Sequence, residues 1–155
     1  MTGKKYFPLY LDLSDKDILF VGGGTIAARR IGVLQPFAER ITVVAPEADG
    51  SILELTQSGE VSLIMREFEE EDLEDRDIVF AATDDKELNA RIAAMCRAKG
   101  IPVNASSDKE LCDFYFPGIV RQGNTIISVN ASGEDHRKAR KVRERIQEIL
   151  TEEGI

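Results

Sequence analysis

Three consecutive glycines stand between the apolar run ILFV and the helix-compatible segment TIAARRIGVL. The spacing Gly22-x-Gly24-x-x-Ala27 fits the dinucleotide motif G-x-G-x-x-G/A. Gly22 lets the chain turn tightly out of a strand, Gly24 lets backbone approach a pyrophosphate, and Ala27 lets helix and sheet pack closely. The helix N-terminus would then attract the phosphates. We therefore assign Gly22, Gly23 and Gly24 to a cofactor site; the alternative is a glycine-rich turn that binds nothing.

An acidic residue follows the next β-branched run, ITVVA at 41–45. Glu47 comes after Pro46, slightly beyond the point, about 20 residues past the glycines, where dinucleotide folds place an acid for the adenosine ribose. Glu47 is either that ribose ligand or a solvent-facing loop acid. Because no Arg/Lys cluster follows this strand, the sequence favours NAD over NADP.

The sequence Thr83-Asp84-Asp85 follows a further predicted strand, Asp77–Ala82. In open α/β sheets, ligands bind beyond the carboxyl ends of the strands. Thr83 or Asp84 therefore either contacts the cofactor, caps the predicted helix Lys86–Lys99, or does both.

Composition restricts the class of protein. The 155 residues, 43% hydrophobic and 31% charged, suit one soluble domain with a small appendage. The net charge of −8 argues against nucleic-acid or anionic-membrane partners. No apolar run approaches the ~18 residues of a membrane span, and the N-terminus does not read as a signal peptide. Cys96 and Cys112 lack C-x-x-C spacing, so we expect free thiols in a reducing cytoplasm.

The order of predicted elements indicates an α/β fold of the Rossmann type, with a parallel sheet and helices on both faces. We expect this NAD-binding domain to span residues 1–112. Its remaining elements are an extended lead-in or edge strand at Tyr6–Leu13, a helix at Ser51–Ser58 with Ser51 as its cap, and strands at 61–65 and 101–104.

The pattern changes in the last third of the chain. Two β-like segments, 114–121 and 124–129, flank a hairpin turn at Gln122-Gly123, and a charged helix is predicted at 134–151. A hairpin and one amphipathic helix bury little by themselves. We therefore interpret residues 113–155 as a dimerisation segment that completes its core against another subunit.

With these segments in place, the chain resembles the precorrin-2 dehydrogenase family, the NAD-binding domain of sirohaem synthases and their stand-alone relatives. The motifs that carry this resemblance are YFPLYLDL, VGGGTIAARR, ITVVAPE, FAATDDKELN, IPVN, DKELCDFYFPGIV and ARKVRERI. The resemblance implies a homodimer that oxidises precorrin-2, a tetrapyrrole, to sirohydrochlorin with NAD. By position it implies cofactor contacts at Thr25, Ile26, Pro46 and Glu47, with Ala82, Thr83, Asp84 and Asn104 lining the same cleft.

The chain departs from the family after the fifth strand. The family's N-V-V-D, whose Asp is the proposed catalytic residue, is replaced here by Asn104-Ala105-Ser106-Ser107. A serine hydroxyl cannot act as a base near neutral pH without an activator. Either Asp108, one residue later, substitutes for the missing acid, or the chemistry relies on the cofactor and on positioning.

A second departure lies around His136, which stands where the family has Pro. This histidine is either a metal ligand or proton shuttle, or an ordinary surface residue; no metal site is assigned. The basic cluster that follows it either faces solvent or binds precorrin carboxylates: Arg137, Lys138, Arg140 and Lys141. Two further functions stay open, a bifunctional dehydrogenase and ferrochelatase, and a non-catalytic NAD-sensing module.

Overall fold

The computed structural model describes residues 5–131 and 135–154. The chain forms two compact units. The larger unit is Phe7–Phe114, and the smaller one contains Tyr6 and the residues from Tyr115 onward.

The larger unit is built on a five-stranded parallel sheet in the order β3-β2-β1-β4-β5. The strands are β1 Asp17–Val21, β2 Arg40–Val44, β3 Ser62–Ile64, β4 Ile78–Ala81 and β5 Val103–Ala105. The strand β1 is almost wholly buried, as a parallel strand covered on both faces must be. The last residue of β1, Val21, is in register with Val44 and Ala81, the last residues of β2 and β4. The loops that leave these three strands therefore meet at one edge. The predicted Rossmann-type α/β fold is confirmed.

Helices connect the strands: α1 Thr25–Leu34, α2 Gly50–Gln57 and α3 Lys86–Lys99. One core joins Leu19, Val79 and Val103 of the sheet to Ile92 and Cys96 of α3. Burial raises the pKa of the Cys96 thiol to about 11, so this thiol stays protonated and inert near neutral pH.

An aromatic cluster occupies other positions of the same strands. The rings of Phe20 and Phe80 stack with centroids 4.5 Å apart, and Phe114 meets Phe80 edge-on at 5.4 Å. Because successive side chains of a strand point to opposite faces, Phe20 and Phe80 lie on the face opposite Leu19 and Val79.

Several local predictions need correction. Of the two alternatives for Tyr6–Leu13, the edge strand is excluded, because this segment forms no strand and Phe7 and Leu9 are exposed. The cap of α2 is Asp49 and not Ser51, because the Asp49 side chain accepts from the Ser51 backbone N–H. Strand β5 begins at Val103 and not at residue 101, since Pro102 has no N–H to donate to the ladder.

The smaller unit contains a hairpin, β6 Gly118–Gln122 and β7 Thr125–Val129, and the helix α4 His136–Glu153. The hairpin turns at Gly123, which has a φ of +55°. The residues 132–134 of the predicted loop and helix start lie outside the described part. Within that part, Val120 is the one buried apolar residue of this unit. On α4, Val142 is 42% exposed, so the unit buries little by itself.

No helix of the described residues is long and apolar enough to span a bilayer.

Candidate functional site

A cleft of about 1000 Å³ lies at the carboxyl edge of the sheet in the larger unit. Clefts of this size are typical of small-molecule and cofactor sites. The structure brings to it every predicted cofactor contact except Asn104: Gly22, Gly23, Gly24, Thr25, Ile26, Pro46, Glu47, Ala82, Thr83 and Asp84. The cleft is where the loops after β1, β2 and β4 meet.

The three glycines have different structural roles. Gly22 has a φ of +104°, and a Cβ built there would lie 2.5 Å from the Ala82 carbonyl oxygen. A Cβ on Gly23 would lie 2.5 Å from the Glu47 carbonyl oxygen. A Cβ on Gly24 would meet nothing within 4 Å. The first two glycines therefore let the loops pack against each other, and only Gly24 adjoins open space.

The N-terminus of α1 opens on this space. Gly24 is its N-cap residue, with a φ of −79°, and no side chain of the described residues caps the helix. By contrast, aspartates cap α2 and α3, at Asp49 and Asp85. A helix begins with N–H groups that lack intrahelical partners and carry partial positive charge. At α1 these groups are available to an anion, which is the arrangement that binds phosphates.

Glu47 borders the same space. Its backbone carbonyl packs on Gly23, and the neighbouring Asp49 N–H donates to the Gly23 carbonyl oxygen at 2.7 Å. The Glu47 side chain itself is exposed and lines the cleft. The carboxylate thus lies in the loop after β2, beside the glycine turn, where a ribose ligand is expected.

The turn after β4 is held by α3. Asp85 caps α3, because its Oδ1 accepts from the N–H groups of Glu87 at 2.9 Å and Leu88 at 3.1 Å. The expectation that Thr83 or Asp84 caps this helix is therefore wrong: the cap is Asp85, one residue after Asp84. Thr83 is bonded instead to the buried amide of Asn89, and Asp84 is exposed in the cleft wall.

Asn104 differs from the other predicted contacts. Its side-chain oxygen accepts from Arg30 Nη1 at 2.8 Å, and its Nδ2 donates to the Phe114 carbonyl oxygen at 2.8 Å. The residue is 2% exposed and does not line the cleft. Burial, followed by the nearby Arg29 charge, lowers the pKa of Arg30. In β5 Asn104 pairs with Phe80, so its amide lies among the aromatic cluster and stabilises the fold there.

The two predicted catalytic residues lie just after β5, outside the lining of the cleft. Ser107 is half-buried, and its Oγ accepts from Asn89 Nδ2 at 3.2 Å. Asp108 is exposed and caps the short 3-10 helix Lys109–Leu111, since its Oδ1 accepts from the Glu110 N–H at 2.8 Å. Ser107 is thus connected to the turn that carries Thr83, whereas the Asp108 carboxylate already has a structural role.

The structure adds cleft residues that the sequence reading missed. Some come from the loop after β3: Glu67, Phe68 and Glu70. Others come from α3, spaced three and four apart on one face of that helix: Leu88, Arg91 and Met95. The rule that ligands bind beyond the carboxyl ends of strands could have predicted the residues after β3. The spacing of the α3 residues could not have predicted a cleft, because a helix face that packs on the core has the same spacing.

An ion pair supports the loop after β3. Arg66 forms a fork to Asp72, with Nη1–Oδ2 at 2.8 Å and Nη2–Oδ1 at 2.7 Å, and Asp72 Oδ2 also accepts from the Glu69 N–H at 2.9 Å. The Arg66 hydrogen bonds, and after them the Glu69 N–H, lower the pKa of Asp72 below its ordinary 3.8. This buried carboxylate fixes the cleft loop.

Replacing Asp72 by asparagine should therefore lower the free energy of unfolding at pH 7. Because the folded-state pKa of Asp72 is lowered, its stabilising contribution is complete above the unfolded-state value, near 3.8, and is lost as the pH falls through the folded-state value. The difference between wild type and Asp72→Asn should thus be constant from neutral pH to about pH 5 and shrink below about pH 4. Urea titrations at several pH values measure it, with Glu74→Gln, an exposed neighbour, as the control. A difference that persists unchanged to about pH 2 would contradict the lowered pKa.

The parallel sheet, the glycine turn and the uncapped start of α1 together define a nucleotide-binding protein of the α/β class. Comparison with known proteins then identifies the family within this class. The family model described as "Putative NAD(P)-binding" matches residues 9–118. The chain belongs to this family.

Curated relatives and solved structures agree with this assignment. Over 94% of its length the chain is 39% identical to a siroheme synthase of Methylococcus capsulatus, and over 92% it is 36% identical to one of Stutzerimonas stutzeri. The chain spans 31% of the length of each of these relatives. A solved structure titled SirC, precorrin-2 dehydrogenase, superposes with a TM-score of 0.81 at 26% identity, covering 92% of this chain and 70% of that one. The resemblance stated from the sequence is confirmed.

Proposed function

We propose that this chain is an NAD-dependent dehydrogenase that oxidises precorrin-2 to sirohydrochlorin in sirohaem biosynthesis. The observation that carries the proposal is the uncapped N-terminus of α1 beside the open space at Gly24, in a chain similar to a precorrin-2 dehydrogenase. The open backbone and the helix dipole fit the pyrophosphate of a dinucleotide. Bound NAD would supply the hydride acceptor, and this chain's residues would supply binding and orientation.

The acids around the cleft support NAD over NADP. Glu47, Glu67 and Glu70 all line the cleft. A carboxylate beside the adenosine ribose accepts hydrogen bonds from its two hydroxyls, and it repels a 2′-phosphate. Among the residues that line the cleft, Arg91 is the one cation that could pair with the 2′-phosphate of NADP. A comparison of the dissociation constants of NAD and NADP therefore tests this arrangement directly.

The smaller unit supports a homodimer. We propose that residues 1–112 form an NAD-binding domain and residues 113–155 a dimerisation segment, because Val120 is the one buried apolar residue among the described residues of the smaller unit. Its helix α4 also carries exposed cations, and these would complement the carboxylates of a tetrapyrrole: Arg137, Lys138, Arg140 and Lys141. Such a biosynthetic enzyme would work in the cytoplasm.

Two other functions compete with this proposal. Iron insertion into sirohydrochlorin would make the protein bifunctional, and NAD binding without turnover would make it a sensor. Among the described residues no three His, Cys, Asp or Glu side chains gather as a metal site. That finding does not decide between the two enzymes, because a chelatase would hold iron only as its substrate.

Three assays on the purified chain separate these functions. NAD binding, precorrin-2 oxidation and iron insertion are measured independently. We expect binding and oxidation. Binding without oxidation would favour the sensor, and iron insertion at a rate comparable to oxidation would favour the bifunctional enzyme.

The role of Asp108 as a catalytic base can be tested separately from its role as the N-cap of the 3-10 helix. Asp108→Asn keeps an oxygen that caps Lys109–Leu111 but removes the carboxylate, whereas Asp108→Ala removes both. If Asp108 is the base, both variants should lose about 10²–10⁴-fold in kcat. If it only caps, Asp108→Asn should retain kcat and Asp108→Ala should lose stability of about 1 kcal/mol. Steady-state kinetics and urea unfolding of the two variants decide between the roles.

A further inference from the structure

The side chain of Asn89 in the first turn of α3 is completely buried, at 0% exposure. Its Oδ1 accepts from Thr83 Oγ1 at 2.7 Å and from the Thr83 N–H at 3.2 Å. Its Nδ2 donates to the Thr83 carbonyl oxygen at 3.0 Å and to Ser107 Oγ at 3.2 Å. A side-chain amide offers two donors and two acceptor sites, so all four are in use.

These bonds join two loops that leave neighbouring strands. Thr83 lies in the loop after β4, in the cleft wall, and Ser107 lies in the loop after β5. Asn89 binds both the N–H and the carbonyl oxygen of Thr83, which fixes the backbone of that turn and not merely one side chain. An unsatisfied amide in such a buried place would be costly, so the two loops and the helix favour a single relative arrangement.

The direction of the bond to Ser107 determines what that hydroxyl can do. Because Asn89 Nδ2 donates, Ser107 Oγ is the acceptor, and its own proton is directed away from Asn89. An amide does not take up a proton near neutral pH, so Asn89 cannot activate the serine as a base. The hydroxyl is thus arranged as a hydrogen-bond donor.

We propose that Asn89 is a positioning residue that couples the cofactor-binding turn at Thr83 to the Ser107 hydroxyl and holds that hydroxyl as a donor toward the substrate. This inference rests on the proposed dehydrogenase function. It explains how a serine can occupy the position of an acid: the group orients a bound tetrapyrrole through its proton and does not remove one. When NAD binding orders the Thr83 turn, the side-chain amide of Asn89 also orders Ser107, because it is bonded to both residues.

A double-mutant cycle tests the coupling. Ser107→Ala should lower kcat for precorrin-2 oxidation roughly tenfold and leave the NAD dissociation constant unchanged. Asn89→Ala should lower kcat by a similar factor and also raise the NAD dissociation constant severalfold, because the Thr83 turn loses its anchor. The double variant should have the same kcat as Asn89→Ala, since residues that act as a unit are not additive. Glu87→Ala, exposed in the same helical turn, is the control.

Two kinetic results would overturn the proposal. One is a fold-loss of kcat in the double variant that equals the product of the fold-losses in the two single variants. The other is a folded Asn89→Ala protein with wild-type kcat and NAD affinity.

A second measurement does not depend on activity or on the folding of Asn89→Ala. Side-chain amide resonances of Asn89 are followed by NMR in wild type and in Ser107→Ala, with and without NAD. We expect one Nδ2 proton to exchange faster in Ser107→Ala, and both to shift when NAD binds. Asn89 resonances that respond to neither change would contradict the coupling, whereas a coupled Asn89 in a chain that does not oxidise precorrin-2 would refute only the proposed activity.

Discussion

Replacing Gly24 by aspartate should weaken NAD binding about 100-fold or more while the protein stays folded. The φ of −79° at this residue suits any amino acid, and a Cβ meets nothing within 4 Å. Aspartate is moreover a favoured N-cap, so it should bond the open N–H groups of α1 and match or slightly exceed wild-type stability, by a few tenths of a kcal/mol. Those N–H groups would then be occupied, and the added charge would repel the pyrophosphate. We expect the NAD dissociation constant to rise about 100-fold or more, which is at least ~2.7 kcal/mol.

Isothermal titration calorimetry with NAD measures this affinity directly. Gly24→Asn is the matched variant, because it has the same size and caps the helix without the charge. Its affinity should lie between those of wild type and Gly24→Asp. Wild-type affinity in Gly24→Asp would show that the phosphates do not bind at α1, and loss of folding would show that Gly24 is structural.

The second large effect is expected at Gly22, and it is an effect on stability. Its φ of +104° is costly for alanine, and the new Cβ would lie 2.5 Å from the Ala82 carbonyl oxygen and 2.7 Å from the Ala82 carbonyl carbon. Backbone strain and overpacking each cost about 1–3 kcal/mol, so Gly22→Ala should lower the free energy of unfolding by about 2–6 kcal/mol. Urea unfolding of the unliganded protein measures this loss apart from any ligand.

Gly32 provides the control, since it lies inside α1 and a Cβ there meets nothing within 4 Å. Gly32→Ala should stabilise by about 0.5–1 kcal/mol, the gain of alanine over glycine in a helix. Equal unfolding midpoints for Gly22→Ala and wild type would mean that the turn does not approach β4 in solution as it does in the structure.

The fold was predictable because its strands are short apolar runs separated by clear breakers. ILFV and ITVVA are continuous apolar runs, which are typical of the strands of a parallel sheet that is covered on both faces, and the glycines that follow ILFV mark the turn to α1. Strand ends were less predictable, as at Pro102, where one missing N–H moves the start of β5.

The site was predictable where it depends on backbone and less so where it depends on side-chain direction. The glycine turn, Glu47 and the Thr83 turn meet because parallel strands end together. Asn104 was expected to line the cleft by position, from the family resemblance, but its place in β5 directs its amide toward Arg30 and Phe114.

Asn89 ends the motif FAATDDKELN, but its residue type gave no sign of a buried role, since one asparagine in a helix of mixed polarity looks like a surface residue. Its role depends on which loops lie above the first turn of α3, and spacing along the chain does not contain that information. The choice of Asp85 as the helix cap is similar, because Thr83, Asp84 and Asp85 all have suitable side chains.

The three glycines have different surroundings, and this difference affects how such a motif is interpreted in other proteins. Gly22 and Gly23 are required wherever this sheet and its loops pack in this way, whether or not a nucleotide is bound. A Cβ on Gly24 meets nothing within 4 Å, so only the proposed ligand would require a glycine there. A descendant that lost its cofactor would therefore still need the first two glycines to fold, and its third position would be free to drift. The third glycine, and not the glycine-rich turn as a whole, is the residue that distinguishes a working site from an inherited scaffold.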